Sequence, residues 1–149
     1  MTTRISRRGL LARWLPATAL FGLGATAPAM AAPAGGVVYH VDELEQATSA
    51  LRNIRNTREV EPELAVAVVA IGDGVTFLLA GAEDEHGNAY AALVESLTFK
   101  NVTFKACGNT LKTRGIDPSQ LHFGVQITQS GAAEIARLQN ASGYAYFKP

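Results

Sequence analysis

The chain has 149 residues, with 13 Lys and Arg against 13 Asp and Glu, 48% hydrophobic residues and one cysteine. That length suits a single domain, and the composition is globular rather than disordered, collagenous or coiled-coil. One cysteine excludes an intramolecular disulfide framework and any multi-cysteine zinc site. The zero formal charge hides an asymmetry. Residues 1–31 carry Arg4, Arg7, Arg8 and Arg13 and no acid, which leaves 9 basic against 13 acidic residues beyond them, a net of −4. A mildly acidic remainder without a basic stripe is a poor partner for nucleic acid, because phosphate neutralisation needs clustered Lys and Arg.

The first 31 residues read as an export signal. Ser6-Arg7-Arg8-Gly9-Leu10-Leu11 looks like the paired-arginine motif of the twin-arginine route. An apolar stretch from Trp14 to Pro28 follows, interrupted by Pro16, Gly22 and Gly24, and then Ala29-Met30-Ala31 forms a small-x-small cleavage pattern. The unbroken apolar stretch is shorter than the roughly 20 residues that span a bilayer, so cleavage is favoured over a permanent anchor. The expectation is a mature domain from residue 32, periplasmic, meeting the membrane only during export. In that oxidising compartment a lone unpaired thiol is unusual.

Val37 to Val41 is a β-branched and aromatic run and reads as the first strand. Asp42, with Glu45 three residues on, reads as the cap of a helix over 43–58 that has Leu44, Ala47, Leu51 and Ile54 on one face. Leu64 to Ile71 is apolar without alternation, as in a strand buried on both faces. Val75 to Ala80 is a short apolar run, either an extra turn or an edge segment. Ala89 to Leu97 has helical spacing, and Val102 to Ala106 is a strand that delivers Cys107. A short helix from Gly108 to Thr113 ends at Gly115. A strand is expected over 123–127, a helix capped by Ser130 after it, and a last strand over 144–147.

Alternating strands and helices predict an α/β fold: one doubly wound, mainly parallel five-stranded sheet with helices on both faces, in a single domain. In such sheets ligands bind beyond the carboxyl ends of the strands. Those ends carry His40-Val41-Asp42, Gly72-Asp73-Gly74, Cys107-Gly108-Asn109-Thr110 and Thr128-Gln129-Ser130-Gly131. Cys107 is the sharpest candidate, since a thiol at a strand-to-helix junction meets exposed backbone N–H groups that stabilise its anion. Its alternative is a buried, inert cysteine acting as a small hydrophobe. His40 could carry a proton or orient Cys107, or simply be hydrogen-bonded. Gly72, Gly74, Ser130 and Gly131 could present N–H groups to an anion, although turn chemistry explains them equally well. No phosphate loop, nucleophile elbow or metal-ligand spacing occurs, so no cofactor and no metal are expected.

Phe104 to Leu111 (Phe-Lys-Ala-Cys-Gly-Asn-Thr-Leu), Gly115-Ile116, Ser130 to Ile135 with Leu138-Gln139, and Gly143 to Tyr146 follow in order. Together with Val38 to Asp42 and Asn53 to Asn56, this set resembles the DsrE/DsrF-like family of sulfur-metabolism proteins over about residues 37–149. The resemblance implies a small α/β domain that assembles into oligomers. It also implies a cysteine that carries sulfane sulfur as a persulfide between donor and acceptor proteins or small sulfur compounds. Cys107 would be that cysteine, with His40 and Asn109 lining its pocket; Thr110, at the same strand end, is expected at that rim by its position. Two other readings stay open: a non-enzymatic binding or assembly module with an inert cysteine, and a thiol oxidoreductase. The latter is disfavoured because no second cysteine can resolve a mixed disulfide.

Overall fold

A computed structural model of the chain describes residues 35–149; the expected export signal lies outside them. Five strands form one sheet: β1 (Gly36–Val41), β2 (Ala65–Ala70), β3 (Val102–Cys107), β4 (Gln126–Thr128) and β5 (Ala145–Phe147). Their spatial order is β4-β3-β2-β1-β5, and every neighbouring pair is parallel. The α-helices are α1 (Ala47–Val60), α2 (Tyr90–Phe99), α3 (Gly108–Arg114) and α4 (Gly131–Ser142), with short 3₁₀ turns at Leu44–Gln46, Gly72–Leu78 and Pro118–Gln120. The α/β class, the five parallel strands and the helices on both faces agree with the sequence.

Winding direction sets which face each helix covers. From β1 to β4 the chain moves steadily across the sheet, and right-handed crossovers put α1, α2 and α3 on one face. The step from β4 to β5 runs back past three strands, so the same handedness places α4 on the opposite face. Burial follows this division. Tyr39, Val41, Val68, Ala70, Phe104 and Ala106 point to the first face and join Leu51, Ile54, Phe77, Val94 and Leu111 in the main core. Val38, Ala67 and Val69 point the other way, onto Ile135 and Leu138 of α4. β2 is buried along nearly its whole length, as expected for a central parallel strand.

Several local expectations are corrected. Asp42 does not cap the first helix, because its carboxylate accepts from Lys148 Nζ at 2.8 Å. The segment after it begins as a 3₁₀ turn without a side-chain cap, and α1 starts only at Ala47. Of the two readings for Val75 to Ala80 the extra turn holds, since the run belongs mostly to a 3₁₀ helix over Gly72–Leu78. The expected strand over 123–127 shrinks to Gln126–Thr128. A turn closed by Val125 N–H to the His122 carbonyl precedes it, and Phe123 projects fully into solvent. Ser130 does cap α4, accepting from the Ala133 N–H at 3.4 Å. Among the described residues no helix is long and apolar enough to cross a membrane.

Candidate functional site: a thiol at the switch point of the sheet

Adjacent strands β3 and β4 send their exits to opposite faces, β3 into α3 and β4 into α4. A crevice opens where two neighbouring connections diverge, and this is where parallel sheets bind ligands. Cys107, the last residue of β3, sits in that crevice, facing the same side of the sheet as Lys105. Ile71 and Gly72 from the exit of β2, Asn109, Thr110, Thr113 and Arg114 of α3, and Ser130 and Ala132 of the α4 start complete a cavity of about 370 Å³.

The thiol is only 4% exposed, yet it is surrounded by donors rather than by aliphatic carbon alone. Sγ accepts from the Gly131 N–H at 3.3 Å. Burial pushes the thiol pKa up, but hydrogen bonds from the Thr110 hydroxyl and from the backbone N–H groups of Gly131 and Thr110 outweigh it, while the Asn109 N–H is directed to the Gln129 carbonyl at 3.2 Å. The net result lies below the ordinary value. Thr110 is itself fixed, since its Oγ1 accepts from the Gly72 N–H at 3.1 Å. With a lone pair of that oxygen engaged, the hydroxyl proton is free to turn to sulfur. Gly72 adopts φ +58°, a left-handed conformation that suits glycine.

Close approach of α4 depends on Gly131. A Cβ there would lie 2.5 Å from Ile71 Cγ1 and 2.8 Å from its Cδ1. Glycine lets the first amide of α4 settle over the end of β2 and reach Cys107. The helix is also tethered by charge. Glu134, buried in its first turn, accepts from Lys105 Nζ and from Arg137 Nε at 2.9 Å and Nη2 at 2.8 Å. Those cations, Arg137 foremost, hold the Glu134 carboxyl at about 2. Lys105 reaches α4 from β3 two residues before the thiol, so it ties the strand that carries Cys107 to the helix whose N–H meets its sulfur.

Of the residues expected at this rim, Gly72, Cys107, Asn109, Thr110 and Ser130 line the cavity, and Gly131 donates to the sulfur. Gly74 does not line it; it packs beneath β1, donating its N–H to the Asp42 carbonyl at 3.0 Å. His40 does not line it either. It lies two strands away on β1, where Nδ1 meets the Tyr146 hydroxyl at 2.8 Å, and burial lowers its pKa. His40 therefore neither orients Cys107 nor exchanges a proton with it directly. Arg114 and Thr113 were not anticipated. They follow Thr110 at i+3 and i+4, the helical spacing that would have put them on one face of α3. Arg114 Nη1 donates to Asp73 Oδ1 at 2.7 Å at the cavity edge. Among the described residues no group of three or more His, Cys, Asp or Glu could hold a metal ion.

Comparison with known proteins agrees with this architecture. A protein of unknown function, MTH1491 from Methanobacterium thermoautotrophicum, is 33% identical, with a TM-score of 0.66 over 76% of this chain and 97% of its own. The ychN protein from E. coli is 25% identical, with a TM-score of 0.64 over 78% of this chain and 99% of its own. No curated protein matches the sequence. The profile of the DsrE/DsrF-like family matches residues 36–149, the whole sheet with all its helices, and the chain belongs to that family.

Proposed function

We propose that the protein carries sulfane sulfur on Cys107 as a persulfide, accepting it from one sulfur compound or protein and passing it to another. The observation that carries this reading is the setting of a buried thiol whose Sγ accepts from the Gly131 N–H at 3.3 Å at the start of α4, with the Thr110 hydroxyl and N–H beside it, so that its pKa is lowered although burial opposes this. A cysteine kept only for packing needs no such setting. In the first step the Cys107 thiolate attacks the sulfane sulfur of the donor. A new S–S bond forms, and the donor's leaving group departs with the electron pair of the broken bond. The same N–H groups then stabilise the persulfide anion. In the second step an acceptor thiolate takes the outer sulfur, and Cys107 leaves as thiolate.

Export before this work, by the twin-arginine route to the periplasm, is supported by the Arg7-Arg8 pair and the short apolar stretch after it. Assembly into a homo-oligomer is supported by the exposed apolar side chains of Val60, Phe99 and Phe123. To test the central reading, the 32–149 form and its Cys107→Ser variant are incubated with inorganic polysulfide and weighed intact. Wild type should gain one sulfur, removable by a thiol reductant, and the variant none. No gain on wild type, or an equal gain on the variant, overturns it.

A further inference from the structure

We infer that Arg114 makes the cavity selective for anionic sulfane-sulfur donors whose leaving group is an oxyanion, of the thiosulfate type. The inference rests on the persulfide reading of Cys107 and adds the class of donor to it. Arg114 is the one charged side chain among the residues that line the cavity, and the other polar side chains there are Asn109, Thr110, Thr113 and Ser130. No carboxylate is among the residues that line the space; Asp73 stands at its edge and is paired with Arg114 itself. The guanidinium is positioned as well as present. Asp73 holds Nη1 at 2.7 Å and so fixes the head at the edge of the cavity. A guanidinium has five N–H donors in a planar fork, and the Asp73 contact uses one of them. The rest remain to grip a pair of oxygen atoms.

The chemistry needs such a group. When a thiolate attacks thiosulfate, a negative nucleophile meets a dianion, and the sulfonate end gains charge as it leaves as sulfite. The bond between Cys107 Sγ and the sulfane sulfur forms as the bond from that sulfur to the sulfonate breaks. Sulfite takes the electron pair, the persulfide keeps one negative charge, and no external oxidant or reductant is required. A fixed cation beside the departing sulfonate offsets both the approach of like charges and the charge that develops. The backbone N–H groups serve the sulfur end of the reaction, and Arg114 serves the oxygen end.

The test measures sulfur gain on Cys107 from thiosulfate, from inorganic polysulfide (which has no sulfonate), and alkylation by neutral iodoacetamide. Wild type, Arg114→Met and Arg114→Lys are compared. Loss of one charge-assisted hydrogen bond is worth roughly 10- to 100-fold in rate, so Arg114→Met should slow transfer from thiosulfate by that factor. Its iodoacetamide rate should match wild type, showing an intact fold and thiol, and Arg114→Lys should fall between. An unchanged thiosulfate rate in Arg114→Met overturns the role of Arg114. So does equal slowing with thiosulfate and iodoacetamide. A wild type that accepts sulfur from polysulfide but not from thiosulfate overturns the donor class and leaves the persulfide reading standing. A wild type that accepts from neither ends both.

Discussion

Gly131→Ala would put a methyl group 2.5 Å from Ile71 Cγ1, 2.8 Å from its Cδ1 and 3.2 Å from Val69 Cγ1. The nearest of these is not the free end of the isoleucine, so rotating the tip does not clear the clash, and the start of α4 must retreat from the sheet. Overpacking of this kind costs about 1–3 kcal/mol of stability. Retreat also lengthens the Gly131 N–H to Sγ contact from 3.3 Å. A hydrogen bond to a charged acceptor is worth about 1.5–3 kcal/mol, so the thiol should titrate higher than in wild type and its alkylation at neutral pH should slow by roughly 10- to 100-fold. The rate of iodoacetamide alkylation against pH reads this directly, with urea unfolding in parallel. Adding Ile71→Ala to Gly131→Ala should return the profile toward wild type, and Ile71→Ala alone completes the cycle. A Gly131→Ala protein with the wild-type profile would show that the amide does not activate the thiol. A folded double variant with no recovery would show that the clash is not what displaces it.

Thr110→Val removes the hydroxyl donor to Cys107 and strands the Gly72 N–H. Alkylation at neutral pH should slow by roughly tenfold and stability fall by about 1–2 kcal/mol, while Thr110→Ser keeps both near wild type. Glu134 is depressed from 4.5 to about 2, so its contribution is full above 4.5 and is lost as pH falls from there through 2. That loss should be on the order of 3 kcal/mol in urea titrations at pH 7, 4.5 and 2, and Glu134→Gln should lack that acid-dependent component. His40→Ala should leave the thiol's pH profile unchanged, because the imidazole meets Tyr146 and does not line the cavity. A shift of half a unit or more would contradict that placement.

The sequence showed those features whose cause is local. β2 announces itself by an uninterrupted apolar run, α4 by Ser130 and by Ile135 and Leu138 at helical spacing, and Cys107 by its place between a β-branched run and a glycine. Features that depend on distant partners were hidden. Asp42 has the spacing of a helix cap, but Lys148, 106 residues away, takes its carboxylate. Phe123 and Val125 look like strand residues, yet a turn at His122 to Val125 with Gly124 at φ +85° keeps the chain from pairing until Gln126. His40 stands at the carboxyl end of a strand as a site residue would. Strand order alone removes it, because β1 lies two strands from β3 and α4 packs against the strands between. Strand order also gives Cys107 its position, since the switch point lies between β3 and β4 only if the fifth strand returns to the far side of β1.

The amide that most directly engages the sulfur arrives 24 residues after it in the chain. On the ribosome, therefore, the cysteine emerges while α4 is still unmade, and the hydrogen bond from the Gly131 N–H cannot yet favour its thiolate. Thr110, three residues beyond the thiol, is in place early, so the full donor set around the sulfur is completed last, when α4 docks on the sheet.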